Sequence, residues 1–339
     1  MATTVASNRS PELVFNTLTS YQQAFALKAG IDLELFTAIA AGATDTASLA
    51  KRVNAAERGV RILADYLTIL GFLHKENGAY SLTPDSAVFL DKRSGAYLGG
   101  MAEFFTSEQN VQNMYLLTDS VRKGGTASHI GDNSRPVDDR WVNFANSMGA
   151  MAAPMAGVLS QIVNAHASGP VRVLDVASGH GMYGITVARN NPNVHLTSLD
   201  WPAVLEVAKA NAQKAGVIDR FRALPGSAFD ADLGDVYDYI FITNFLHHFD
   251  IPTCETLLSR FRAALKPGGK TITVEFVPNE DRVSPPMAAA FSLVMLAHTD
   301  RGDAYTFPEY EKMHRGAGFR SCALQQVPNL PQSLIIGEK

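Results

Sequence analysis

Cysteine is nearly absent. Cys254 and Cys322 are the only two in 339 residues, and they lie in different elements without a CxxC pair. That excludes a disulfide framework and a thiolate zinc site, and it fits a reducing cytoplasm. An excess of one charge is missing too. The 29 Lys and Arg nearly balance the 33 Asp and Glu, and the net charge of -4 gives no pull toward nucleic acid or an anionic membrane. The longest soft patch, Met148 to Val158, is Ala- and Met-rich but too short to span a bilayer. The opening residues MATTVASNRSPEL hold no apolar core of signal-peptide type, so the expected location is cytoplasmic. Repeats and low-complexity tracts are likewise absent. What is present is a 46% hydrophobic, 18% charged chain with material for a sizeable core, and its length favours two domains.

The chain is organised around VRVLDVASGHGMYGITVA, residues 171 to 188. An apolar run (Val171, Val173, Leu174, Val176), interrupted by Asp175, breaks at Ser178-Gly179-His180-Gly181 and resumes with helical spacing through Ile185 and Ala188. Strand, glycine turn and helix open a doubly wound α/β domain, where ligands sit at the carboxyl ends of the strands. The glycines let backbone and ligand approach, and the helix N-terminus aims free N–H groups at the site. Gly179 to Gly184 also reads as GxGxxG, so a nicotinamide or flavin dinucleotide stays open. Asp175 argues against it, because a carboxylate at the loop mouth repels a pyrophosphate but suits an ammonium and a sulfonium. S-adenosylmethionine carries both. Asp200, which ends the next apolar run, suits the ribose hydroxyls of either cofactor.

Residues 11 to 40 read as two helices, the first stopped by Gly30. Thr46 caps a short helix, a longer one runs from about Glu57 to Leu70, Gly71 closes it, and FLHKENGAYSL is a hairpin turning at Asn77-Gly78. Together these make a winged-helix module. On DNA its second helix would carry a basic face. Here that helix mixes Glu57, Arg58, Arg61 and Asp65 with mostly apolar positions, which favours packing or dimerisation. Residues 97 to 168 are helical with a polar break at Lys123 to Pro136, and RWVNFANSMGAMAAPMAGVLSQIV reads as one long bridging helix. Its stripe of Phe144, Met148, Met151 and Met155 is either core or pocket lining. Further on, WPAVLEVAKANAQKAG is a helix, and RFRALPGSAFD is a third strand with its turn. VYDYIFITNFLHHF is a fourth strand whose end carries His247 and His248. A helix closed by Pro-Gly-Gly and the strand KTITVEFV come next. Helical residues 285 to 300, another helix and two closing strands complete an α/β sheet with an antiparallel edge.

These marks, in this order, make the chain resemble the small-molecule O-methyltransferases, a family of plant caffeate and flavonoid enzymes and bacterial relatives. The resemblance runs from about residue 11 onward and rests on the winged-helix start, LDVASGHG, LD at 199–200, NFLHHFD, LKPGG and RGAGF. It implies a Rossmann-like S-adenosylmethionine-binding domain at 169–339, a winged-helix dimerisation domain at 11–100, a pocket-lining helical linker at 101–168 and an intertwined homodimer. Gly179, Gly181 and Asp200 are then cofactor residues. Family members grip the adenine with Asp-Met, where this chain has Ser227-Ala228-Phe229, so the carboxylate is missing. A lysine frequent on the fourth strand is replaced by Thr243.

His247 takes the place of the family's general base. The chemistry stands without the resemblance: a phenol of pKa near ~10 attacks poorly until deprotonated, and an imidazole near ~6.5 is a usable base at neutral pH. In-line methyl transfer needs alignment and one base, with no metal. Adjacent residues on a strand point to opposite faces, so His247 and His248 are not expected to share one ligand. Glu275 fits the first of two acids that brace the base in the family. The second falls at Ala304, with Asp300, Asp303 or Glu309 as substitutes. Methyl transfer to a hydroxyl of a small aromatic or polyketide-like acceptor is therefore expected, S-adenosylhomocysteine being the product. Asp175, Trp201 and Phe229 join the cofactor site, and Phe144, Met148, Met151, Asn244, His248, Phe291, Met295 and His298 the acceptor pocket. Carbon or nitrogen methylation, a non-methylating reaction on the same fold and a ligand-responsive DNA-binding regulator are the alternatives.

Overall fold

The computed structural model describes residues 10–128, 139–164, 169–234 and 237–339. The chain divides into two units, Met1–Ser107 and Glu108–Lys339.

The first unit holds α1 (Glu12–Thr19), α2 (Tyr21–Asp32), α3 (Leu35–Ala40), α4 (Thr46–Arg52), α5 (Glu57–Ile69), the hairpin β1 (Leu73–Glu76) and β2 (Ala79–Leu82), α6 (Pro84–Phe89) and α7 (Gly100–Phe105). Gly30 does not stop a helix. It lies inside α2, buried, where an added Cβ would stand 2.9 Å from Leu67 and 3.1 Å from Phe36, so it is glycine for packing. The first break falls instead at Ser20, between α1 and α2. Asp45, rather than Thr46, caps α4 by accepting from Ser48 N–H at 2.9 Å. Gly71 follows α5 at φ 82°, and Asn77 (φ 50°) and Gly78 (φ 82°) supply the left-handed pair that a tight hairpin needs. Charges of the second helix and the wing are spent on each other: Asp65 accepts from Arg61 (3.2 Å), Lys75 (2.5 Å) and the Tyr80 hydroxyl (2.7 Å).

The second unit begins with α8 (Glu108–Tyr115), α9 (Leu117–Lys123), α10 (Asp139–Met148) and α11 (Ala153–Asn164). The expected single helix is split, a 3-10 turn at Gly149–Ala152 separating α10 from α11. Pro154 explains the split, since it lacks an N–H and its ring opposes the carbonyl four residues back. There follow β3 (Val171–Val176), α12 (Met182–Asn190), β4 (Val194–Asp200), α13 (Pro202–Lys214), β5 (Phe221–Pro225), β6 (Tyr237–Thr243), α14 (Ile251–Ala264), β7 (Leu265–Glu275), α15 (Pro286–His298), α16 (Phe307–Gly316), β8 (Ser321–Gln326) and β9 (Ser333–Glu338). Lys266–Gly269, expected as a turn, is instead the bulged start of β7, with Gly268 at φ 73°.

The sheet order is β5-β4-β3-β6-β7-β9-β8, parallel from β5 to β7 and antiparallel at β9 and β8. Strand order reverses between β3 and β6, which opens a crevice at their carboxyl ends. Side-chain alternation divides the core in two. Val171, Val173, Tyr239 and Phe241 pack on one side, and Leu174, Val176, Ile240 and Ile242 on the other. Both faces are covered, so these strands read as continuous apolar runs.

Gly184 sits where α12 crosses β4, and a Cβ there would stand 2.5 Å from Leu196 Cδ1 and 3.0 Å from Asp175 Oδ2. Gly184→Ala is therefore expected to destabilise the protein by about 1–3 kcal/mol through overpacking. Urea denaturation checks this, and an unchanged midpoint refutes it.

Candidate active site

The crevice is floored by the loop between β3 and α12. Ala177 (φ 49°), Gly179 (φ 55°) and Gly181 (φ 71°) take left-handed conformations, and Gly181 precedes the first turn of α12. A Cβ at Gly181 would press on Ile185 (2.9 Å) and Ala208 (3.0 Å), whereas nothing lies within 4 Å of one at Gly179. Gly181 is thus needed for packing and Gly179 leaves open space. Asp200, at the end of β4, clasps this loop: Oδ2 accepts from Gly179 N–H at 2.8 Å and Oδ1 from Trp201 N–H at 2.7 Å. Burial pushes its pKa up to about 6.

Asp175 lies deeper than the mouth of the loop. The side-chain alternation of β3 turns it under α12, where it is fully buried and Oδ2 accepts from Gly184 N–H at 3.1 Å. Oδ1 has no partner among the described residues. Burial first, and the nearby Asp200 charge after it, push this carboxyl up to about 8. His180, which the sequence reading passed over, is buried in the same loop. Its Nδ1 accepts from Met182 N–H at 3.0 Å, and burial pushes its pKa down to about 4.

Beyond Asp200, the backbone carbonyl of that residue accepts from Gly226 N–H at 3.1 Å, which brings the turn after β5 alongside. Ser227 Oγ accepts from Phe229 N–H at 3.2 Å, which orients the hydroxyl within its own turn and leaves its O–H to donate. Arg260 donates to the carbonyls of Ala228 (3.2 Å) and Ala231 (2.7 Å) and pins the turn from α14. Phe229 is partly exposed and meets Phe249 edge-on, with ring centroids 5.3 Å apart.

Across the crevice, β6 ends at the buried Thr243, and Asn244 (φ 52°) breaks the strand. His247 and His248 then lie on a 3-10 turn, Leu246–His248, and not on a strand. Opposite-face alternation therefore does not apply, and the two rings lie 4.4 Å apart. Glu275, fully buried at the end of β7, holds the turn. It accepts from Phe245 N–H (3.0 Å) and His247 N–H (3.4 Å), and its Oε2 lies 2.6 Å from His247 Nδ1. A carboxylate partner assigns the proton to Nδ1 and leaves the Nε2 lone pair free.

Aromatic rings surround this imidazole. Phe291 is edge-on at 4.8 Å and stacks on Phe276 at 4.1 Å, while His248 meets Trp141, which in turn meets Phe144. The structure thus gathers Phe144, His248 and Phe291 of the expected pocket, and Asn244 stands in the same turn, its Nδ2 donating to the Tyr183 hydroxyl at 3.3 Å. Trp141, Tyr183, Phe276 and Gln332, which donates to Asn244 Oδ1, went unnoticed in the sequence. Trp141 was findable, lying three residues before Phe144 on one helix face. Of the methionine stripe, Met155 belongs to the core, Met148 is half-buried and Met151 is exposed. Met295 is buried, and His298 Nδ1 is bonded to its own helix at Val294 O (2.9 Å).

The stand-ins for the absent second acid are engaged elsewhere. Arg282 takes Asp303 (3.4 Å) and Glu309 (2.6 Å), Lys123 takes Asp300 (3.4 Å), and Ala304 itself is fully buried. These three acids, with Asp250, Leu293 and Arg301, line a separate cleft of about 700 Å³ whose walls include none of His247, Glu275 or the expected cofactor and acceptor residues. Among the described residues no group of three His, Cys, Asp or Glu side chains has metal-binding geometry.

Comparison with known proteins gives the family. A family model described as the O-methyltransferase domain matches residues 144–320, and one described as the O-methyltransferase dimerisation domain matches residues 15–92. The 3-hydroxy-5-methyl-1-naphthoate 3-O-methyltransferase of Streptomyces sahachiroi is 28% identical over 311 residues, 91% of this chain and 89% of that protein. A crystal structure of a candidate O-methyltransferase from Nostoc punctiforme PCC 73102 superposes with a TM-score of 0.93 at 46% identity, covering 98% of this chain and 100% of its own. PigF with S-adenosylhomocysteine superposes at 0.85 and 26% identity, covering 98% of this chain and 100% of its own.

The buried acid makes stability depend on pH. Because the folded state holds the Asp175 proton up to about pH 8 and the unfolded chain releases it near the ordinary carboxyl value of 3.8, this stabilisation is complete at low pH and is lost as pH rises through that window. Asp175→Asn, neutral and nearly isosteric, is expected to melt higher than the parent at pH 8 and to match it near pH 4, both without ligand. Equal melting differences at the two pH values would refute the assignment.

Proposed function

The chain belongs to the O-methyltransferase family and is an S-adenosylmethionine-dependent O-methyltransferase, and from that premise we propose that His247 is the general base acting on a hydroxyl of a small aromatic or polyketide-like acceptor. One observation carries this reading: the 2.6 Å bond between buried His247 Nδ1 and buried Glu275. Fixing the tautomer leaves Nε2 as the proton acceptor, and the carboxylate stabilises the imidazolium that forms once the hydroxyl proton is taken. Stacked Phe276 and Phe291 keep water from the imidazole and offer a flat apolar wall to an aromatic ring.

The residues beside β3, β4 and β5 fit the cofactor. Asp200 suits the ribose hydroxyls, the open space over Gly179 admits the cofactor near the backbone, and Gly181 sets the start of α12. Asp200, ionised above about pH 6, supplies negative potential at the loop for a cationic group, and Asp175, which keeps its proton at neutral pH, leaves Oδ1 as an unpaired polar atom beneath it. Trp201, Ser227, Ala228, Phe229 and Thr243 complete the surroundings, with the Phe229 ring as an apolar contact for adenine. S-adenosylmethionine, when bound, supplies the methyl group on a sulfonium leaving group. The domains are assigned to dimerisation (11–100), pocket lining (101–168) and catalysis (169–339).

The assembly is a homodimer in this reading. α1 buries none of its residues, and Leu13, Val14, Phe15, Leu18, Tyr21 and Phe25 of α1 and α2 are all exposed. Such a face asks for an apolar partner, and the dimerisation-domain match spans it. No helix among the described residues is long and apolar enough to cross a membrane, and both cysteines are free, which supports the reducing cytoplasm as compartment.

His247→Ala and Glu275→Gln are expected to lower kcat by about 10²–10⁴-fold while calorimetric affinity for S-adenosylhomocysteine stays within about threefold of the parent. Full turnover by His247→Ala in a radiolabelled-methyl assay against pooled phenols sinks the base assignment. Phe15→Asp combined with Leu18→Asp is expected to give a monomer by light scattering. A doubly substituted protein that remains dimeric places the interface elsewhere.

A further inference from the structure

The 3-10 turn carrying His247 is held by a second element besides Glu275. The loop between α15 and α16, residues 299–306, closes on its backbone. At its centre a Cβ added to Gly302 would lie 2.1 Å from the carbonyl oxygen of His247 and 2.9 Å from the carbonyl carbon of His248. The φ of Gly302 is not in the left-handed region, so its lack of a side chain meets a need of space and not of conformation. Thr299 fixes the loop at this distance: its Oγ1 accepts from Gly302 N–H at 2.9 Å and donates to Met295 O at 2.7 Å. Tyr305 donates to Phe249 O at 2.5 Å, just past the turn, and Arg301 pairs with Asp250 at 3.4 Å. The far side of the loop is anchored as tightly, since Thr126 donates to the carbonyls of Thr299 and Ala297, both at 2.8 Å.

We propose that Gly302 is a positioning residue for His247: by having no side chain it lets the Thr299–Tyr305 loop press on the His247 peptide and hold the imidazole against Glu275. This rests on His247 being the base. The loop supplies by backbone contact the bracing that a second carboxylate at position 304 would have given, and Ala304 is buried in that same loop. A methyl group at 302 forces a displacement of about 1 Å at the His247 peptide, and misplacement on that scale costs methyl transfer about 10²-fold.

The test is kinetic and spectroscopic together. Gly302→Ala is expected to lower kcat by about 10²-fold, with KM for S-adenosylmethionine and calorimetric affinity for S-adenosylhomocysteine within about twofold of the parent. The far-downfield proton signal of His247 Nδ1–H should shift or broaden in its NMR spectrum. Thr299→Val, which keeps the side-chain shape and removes both hydrogen bonds, is expected to show a smaller loss of kcat, and Thr299→Ser to restore it. Gly59→Ala, on the exposed face of α5 with nothing within 4 Å of the added Cβ, serves as the control with parental activity. Parental kcat in Gly302→Ala, or an unmoved Nδ1–H signal there, overturns the proposal. So does loss of activity in Thr299→Val that Thr299→Ser does not recover. Full turnover by His247→Ala removes the base reading alone, because the ring signal reports the positioning independently of turnover.

Discussion

The hydrogen bond between Glu275 and His247 is the constraint on which the catalytic half of the molecule turns. A carboxyl group with no solvent exposure is costly unless it is hydrogen-bonded, and here two backbone N–H groups and one ring nitrogen meet it. The same three bonds force the chain after β6 out of strand geometry and into a tight turn. The left-handed Asn244 makes that exit possible. Solvation of one acid thus decides where the imidazole stands.

On the cofactor side the arrangement is reversed, with acids that are not fully satisfied. Asp175 and Asp200 lie at the ends of neighbouring strands with raised pKa values, one with an unpaired oxygen. Polar groups left in this state in a native fold usually await a ligand or water. Of the two acids, Asp200 is ionised above about pH 6 and gives this place its negative charge. Asp175, expected at the rim of the loop, lies beneath it, buried and protonated up to about pH 8.

Much of this was legible because the second unit obeys local rules. Apolar strand runs, the glycine loop and the capping residues announce β3 to β7 in order, and His247, Glu275, Gly179 and Asp200 sit where motif and strand ends place them. What stayed hidden was set by tertiary packing. Gly30 has the composition of a helix stop and the job of a contact glycine. Two adjacent histidines after a strand gave no sign that Asn244 would turn them onto a 3-10 segment. Trp141, Phe276 and Gln332 reach the site through folding alone. The close approach of Gly302 to His247 depends on a loop more than fifty residues downstream, which no local pattern encodes.

The antiparallel edge of the sheet sets an order of assembly. β7, which ends in Glu275, has β6 on one side and β9 on the other, with Glu275 itself opposite Ser333. During vectorial synthesis the ribosome has released β3 to β7 well before residues 333–338 emerge, so the strand bearing Glu275 waits with an open flank. The final hairpin must then slide in between β7 and solvent for the dyad to be locked. Closure of that flank by β9 is therefore a condition for a rigid Glu275, met by a segment far along the chain from the strand it steadies.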